Sequence, residues 1–200
     1  IAFRQYSNKD KFDGIPSAKV DANVFYGDSR ELRKYGYVEP GNTNIDVQLL
    51  SQRDTRWASH KLGKTSKTIG DYGCLVTCAA MLAKYYGKET DPIKMNNDLV
   101  KVDGLTADGL YDWYKALPKL YSDISLNKLQ NTPGPVTATQ FKEIIAEINL
   151  KHPVILQVDF NPANEPVQMH YVLLIGYDGL NYYVADPWYG DISNLSRYGE

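Results

Sequence analysis

Apolar residues recur with helical spacing through the first two-thirds of the chain and with strand-like runs near its end. Gly70–Gly87, GDYGCLVTCAAMLAKYYG, carries the clearest helix, with Leu75, Cys78, Ala79, Leu82 and Tyr86 on one stripe. Asp91-Pro92 supplies an N-cap and a first-position proline for a helix through Val100. Leu110–Leu117 predicts a short aromatic helix. Thr137 and Gln140 have capping-box spacing ahead of Phe141, Ile144, Ile145 and Ile148, one buried helix face. Three strand-like runs follow: Pro153–Phe160, Met169–Tyr177 and Tyr182–Ala185. Helices first and strands last predict an α+β fold, helices packed on an antiparallel sheet.

The connecting stretches are less regular. Residues 1–7 alternate like a short strand, and residues 8–23 are polar and turn-rich. Asp28 or Ser29 caps a short helix through Lys34, Gly36 stops it, and Val38–Asn44 reads as a linker. Val47–Leu50 is a short apolar run. Ser51–Trp57 is irregular and polar and ends in an anchoring tryptophan, and Lys61–Ile69 is a loop. Ser122–Pro135 is turn-rich and expected to hold one strand. A boundary falls near Pro40, dividing the chain into residues 1–40 and 41–200. Forty residues cannot bury a core of their own.

The 200 residues carry a net charge of −2. That balance advertises no polyanion-binding surface, so nucleic acid is not an expected partner. No run approaches the ~18–20 apolar residues of a membrane span, and no signal-peptide core stands at the start. The chain begins with Ile1 rather than methionine, so the missing leader weighs little. Two cysteines, Cys74 and Cys78, lie one helical turn apart and are poorly aimed for a disulfide. The histidines are His60, His152 and His170, with no CxxC or HExxH pattern; a zinc site from Cys74, Cys78 and His170 would need a further ligand. No metal and no cofactor are expected.

Candidate chemistry begins at Cys74. A cysteine at a helix start sits among free backbone N–H groups at the positive end of the dipole, which favours the nucleophilic thiolate. A free cysteine is equally at home as a small core hydrophobe. His170 opens a strand otherwise made of apolar and turn residues, and Asp186 ends the next, sixteen positions later. Each alone has an ordinary reading, a core histidine and a turn-forming Asp-Pro. Together they have the order of a nucleophile on an early helix followed by a base and its orienting acid on adjacent late strands. Papain-like cysteine peptidases are built in that order. Trp57, Trp113, Trp188 and the sixteen tyrosines either line a cleft or pack the interior.

SQRDTRW, GDYGCLVTCAAMLAKYYG, HPVILQV, MHYVLLIGYDG and YYVADPW together resemble the C39-like peptidases, papain-fold relatives of bacteriocin leader peptidases. The resemblance covers most of residues 45–190. It implies Cys74 as nucleophile, His170 as general base and Asp186 as orienting acid. Gln52 matches the glutamine that shares an oxyanion hole with the cysteine N–H. In the leader peptidases that glutamine lies a few residues before the cysteine, whereas here the gap is 22, which implies a loop insertion. Cys78 stands where small residues are usual, and Lys151-His152-Pro153 replaces a common Gly-x-Pro. Trp188 is expected to border the site, and Asp71 and Tyr72 to contact substrate by adjacency to Cys74.

RQYSNKDKFDGIPSAKVDANVFYG resembles the C-terminal segment of glycoside hydrolase family 25 lysozymes. Gln5-Tyr6-Ser7, Gly14 and Val20-Asp21-Ala22-Asn23-Val24-Phe25 carry the match, and Arg4 stands at a usual tryptophan. The sugar-cleaving carboxylates of that family lie upstream, and Asp21 is expected to be structural. An upstream lysozyme-like domain would place the protein in a cell-wall lytic assembly of phage or bacterial origin. Peptidoglycan peptide is then the expected substrate, at the cell wall outside the cytoplasm or on a virion. Two other readings stay open: a peptidase that processes proteins, its own chain included near residues 36–46, and a catalytically silent wall-binding module.

Overall fold

A computed structural model describes residues 3–10, 20–25, 43–105, 116, 119–124, 136–179 and 181–199. Contacts divide the chain into two units, Ile1–Gly41 and Asn42–Glu200. In the first, β1 (Phe3–Asp10) pairs antiparallel with β2 (Val20–Phe25), with irregular register after Gln5 and after Ser7. The strands therefore take in residues 8–10 and 20–23, which the sequence presents as turn-rich. Ladder hydrogen bonds come from the backbone, so a polar stretch with a partner can still pair. The helix expected from Asp28 or Ser29 to Lys34 lies outside the described residues. So do the Leu110–Leu117 helix, apart from the helical and buried Ala116, and the strand expected before Pro135.

The second unit is an α+β structure. Among the described residues its five strands are β3 (Thr43–Asn44), β4 (Val154–Asp159), β5 (Met169–Tyr177), β6 (Tyr182–Asp186) and β7 (Asp191–Asn194). Every pairing is antiparallel. β5 is central: β6 lies along one edge, while β4 and β3 share the other, opposite residues 169–174 and 176–177. β7 closes the far side of β6. Val172, Leu173, Leu174 and Ile175 are all buried, so β5 lacks the in–out alternation of a strand with one wet face. The tail of the expected linker is thus strand β3, and β7 is a further strand. Both are short and polar, which is why hydropathy does not reveal them.

Four helices are described: α1 (Ile69–Tyr72), α2 (Cys74–Tyr85), α3 (Pro92–Lys101) and α4 (Ala138–Asn149). α3 starts as expected, with Asp91 accepting from the Lys94 N–H at 2.7 Å and Pro92 in the first turn. At α4 the capping box is formed, Thr137 N–H donating to Gln140 Oε1 at 2.7 Å. Both α2 and α4 pack on β5. α2 departs from a one-stripe helix: Val76, Thr77, Ala80, Met81 and Ala83 are buried along with Leu75, Cys78 and Ala79, while Tyr86 is exposed. A helix surrounded by protein is apolar nearly all round. This places the start of α2 deep in the unit with only its first residue reaching the surface.

Candidate active site

α2 is aimed by the turn before it. α1 is a single turn capped by Thr68, whose hydroxyl accepts from the Asp71 N–H, and Gly73 joins it directly to Cys74. A Cβ on Gly73 would lie 2.5 Å from the Ile69 carbonyl oxygen. One on Gly70 would lie 2.9 Å from the Ala58 oxygen. The glycines of GDYGC therefore serve close approach of backbone to backbone, and that approach sets Cys74 as the first residue of α2. Its N–H, in the first turn, has no intrahelical acceptor. Cys74 is partly exposed and Cys78 fully buried.

The imidazole and carboxylate come from the sheet. The β5–β6 register pairs Leu173 with Ala185; carried one residue further, it sets Asp186 opposite Val172. His170 is then a diagonal neighbour on the same face, and its Nε2 lies 3.1 Å from Asp186 Oδ1. The ring is 3% exposed and the aspartate 0%. The Cys74 thiol is a second hydrogen-bonding partner of the ring. Burial opposes the imidazolium, yet hydrogen bonds to Asp186 and Cys74, with their charges, raise His170 to about 9. Both partners favour the protonated ring.

Asp186 is held by more than His170. Its Oδ1 also accepts from the Trp188 N–H at 2.9 Å. Its Oδ2 accepts from the Tyr198 hydroxyl in a short hydrogen bond and from Arg197 Nη1 at 3.3 Å. Burial works against the carboxylate, but the bonds from His170 and Tyr198 outweigh it and keep its pKa below the usual range. Phe160 meets the His170 ring edge-on at 5.3 Å and Trp188 at the same distance. Tyr198 and Arg197 carry no sequence signal for this place and reach it through a 3₁₀ turn without periodicity, while Phe160 reaches it from the end of the expected run Pro153–Phe160, just past β4.

Gln52 joins the two halves. It is 1% exposed, and its N–H donates to Pro187 O at 2.7 Å. Its side-chain Nε2 donates to Gly70 O at 2.9 Å and reaches Ile69 O at 3.4 Å, while Oε1 has no partner. The long sequence gap to Cys74 is taken up by a loop that closes on itself. Gly70 N–H donates to Ala58 O, Ile69 N–H to His60 O and Leu62 N–H to Lys67 O. Buried Asn96 of α3 fastens this loop through Lys61 O and the Gly63 N–H.

The remaining expected residues divide. Trp188 borders the site, half-buried, with Arg53 stacked at 4.8 Å over its ring. Asp71 faces solvent and accepts from the Thr68 hydroxyl at 2.8 Å. Tyr72 is 55% exposed beneath Lys67. Cys78 reaches only Tyr171 O, at 3.4 Å, and burial pushes its thiol well up, helped by the charges of Cys74 and Asp186. Among the described residues no group of three or more His, Cys, Asp or Glu is placed to hold a metal ion.

The α+β unit sets a thiol at a helix start against a buried imidazole–carboxylate pair, the arrangement expected of a cysteine peptidase. The match to known families agrees: residues 44–198 fit the model of the Peptidase_C39 like family, and the chain belongs to that family. No curated protein and no solved structure matches the chain.

Proposed function

We propose that the protein hydrolyses an amide bond with Cys74, His170 and Asp186, and that its substrate is the peptide of peptidoglycan. The observation that carries the reading is His170 itself, 3.1 Å from the buried Asp186 carboxylate and hydrogen-bonded to the Cys74 thiol, both of which favour its protonated form. The sulfur attacks the scissile carbonyl carbon, and negative charge develops on the carbonyl oxygen. The Cys74 N–H and a Gln52 amide proton receive that charge. The 3.4 Å contact to Ile69 O is at the limit of a hydrogen bond, so that proton turns readily to a stronger acceptor. His170 gives its proton to the leaving nitrogen, the C–N bond breaks, and a thioester remains. Water then attacks the thioester; neutral His170 takes its proton, and the acid leaves with the sulfur restored. Asp186 holds the ring in one orientation throughout and fixes its tautomer when it is neutral.

Trp188, Asp71 and Tyr72 border the bound peptide in this reading. The lysozyme-like pattern in residues 1–40 supports a cell-wall substrate outside the cytoplasm or at a virion. A glycan-cutting domain tethered to a peptide-cutting one raises the local concentration of the second activity on the same polymer. The test is mass spectrometry of purified peptidoglycan digested by the protein, with Cys74→Ala as control. New peptide termini that vanish in the variant are the expected result. An unchanged pattern with active-looking Cys74 would overturn the substrate assignment.

A further inference from the structure

The aspartate that steadies His170 is more heavily bonded than that task alone requires. Four donors converge on Asp186: His170 Nε2 and the Trp188 N–H on Oδ1, the Tyr198 hydroxyl and Arg197 on Oδ2. Two of the four come from one 3₁₀ turn, Leu195–Tyr198, directly after β7. That turn is built to stay in place. Asn194 caps it by accepting from the Ser196 N–H at 2.9 Å, and Asn194 Nδ2 donates to Asn181 Oδ1 at 2.8 Å. Arg197 is set by a two-point pair with Asp191, both contacts at 2.9 Å. Its guanidinium also lies 4.4 Å over the Tyr189 ring. Tyr198 is buried, with its ring 5.5 Å from that of His170.

We propose that Tyr198, assisted by Arg197, is a positioning residue of the catalytic site: it fixes the carboxylate of Asp186 so that Asp186 can fix His170. A buried carboxylate has lone pairs on two oxygens, and His170 uses only one oxygen. Without donors on Oδ2 the group turns about its Cβ–Cγ bond to find others, and the bond to Nε2 turns with it. The phenol closes that freedom and helps keep the carboxylate ionised where water cannot. Tyr198 touches no reacting atom. It acts through Asp186 alone, and the inference rests on the reading of Cys74 and His170 given above.

The experiment is a double-mutant cycle on the whole chain, Tyr198→Phe and Asp186→Asn singly and together, each with its melting curve. Two quantities are read. The first is the rate at which iodoacetamide alkylates Cys74 at neutral pH. The second is the titration of His170 followed by nitrogen NMR. Tyr198→Phe is expected to slow alkylation at least tenfold and to bring the His170 titration down from about 9. In the Asp186→Asn background the same change should do less than twofold, because its intermediary is gone. Arg197→Gln, at a side chain 32% exposed, should give a smaller loss that also vanishes with Asp186→Asn, and it decides the matter if Tyr198→Phe does not fold. Equal losses in both backgrounds, or no loss, would overturn the proposal. If the wild-type Cys74 reacts as slowly as a free thiol, the reading of the site fails instead, while the NMR titration still decides whether Tyr198 acts on His170.

Discussion

His170 and Asp186 meet at 3.1 Å across a strand diagonal, and the aspartate has no exposed surface at all. Their pairing makes folding stability depend on pH in a defined window. An unfolded histidine titrates near 6.5, and here it is held up at about 9. A raised histidine contributes fully below the unfolded value and loses that contribution as pH rises through the folded one. Stability should therefore fall between pH 6.5 and 9, by on the order of 3 kcal/mol. Asp186, with a lowered pKa, contributes above the ordinary carboxylate range and loses its share in acid. Urea titrations across pH would show the fall, and His170→Gln should flatten it. In the proposed reaction, amide hydrolysis should decline over the same alkaline limb, because the leaving nitrogen loses its proton donor.

Cys74 and Cys78 share one helix and differ in access. Native protein treated with iodoacetamide should carry a single label, on Cys74, found by peptide mapping. Cys78, buried and with its thiol pushed well up, should react only after unfolding. Label on Cys78 in the folded protein would contradict its placement.

Gly73→Ala tests how tightly the approach to Cys74 is built. The new methyl would stand 2.5 Å from the Ile69 oxygen and 2.7 Å from its Cγ2, so the turn must open. A cost of about 1–3 kcal/mol in chemical denaturation is expected. The alkylation rate of Cys74 should change as well, because the residue that moves is the one beside it.

Gln52→Ala removes a donor from Gly70 O and, in the proposed reaction, one from the oxyanion. Stability should fall by about 1–3 kcal/mol for the carbonyl left without its partner. Turnover of a peptidoglycan stem peptide should fall roughly a hundredfold with KM little changed. A stability loss with normal turnover would leave Gln52 a purely structural role.

What could be read from the residues follows from periodicity. α2, α4 and strands β4, β5 and β6 each show enough apolar repeats to declare themselves, and consecutive strands bring His170 and Asp186 together. Asp91-Pro92 and the Thr137–Gln140 box name their helix starts through local chemistry. β3 and β7 are too short and polar for any repeat. Off the expected stripe, Thr77, Ala80 and Ala83 carry little hydropathy, and Val76 and Met81 between them do not by themselves announce burial all round α2. Tyr198 and Arg197 join the site only through a chain reversal that no spacing announces. Gln52 was reachable by family resemblance alone, and the self-closing loop from Ala58 to Gly70 explains how a distant residue arrives there.

Gln52 is a clasp between the segment that carries the sulfur and the segment that carries the carboxylate, gripping Gly70 by its side chain and Pro187 by its backbone. Cys74 and the His170–Asp186 pair, the proposed nucleophile and proton donor, are thus kept in step by one residue belonging to neither. Gentle heating that loosens this clasp would part them while the sheet is still intact. Thiol reactivity should then fade at a lower temperature than the circular dichroism of the strands, making the protein an enzyme that falls silent before it melts.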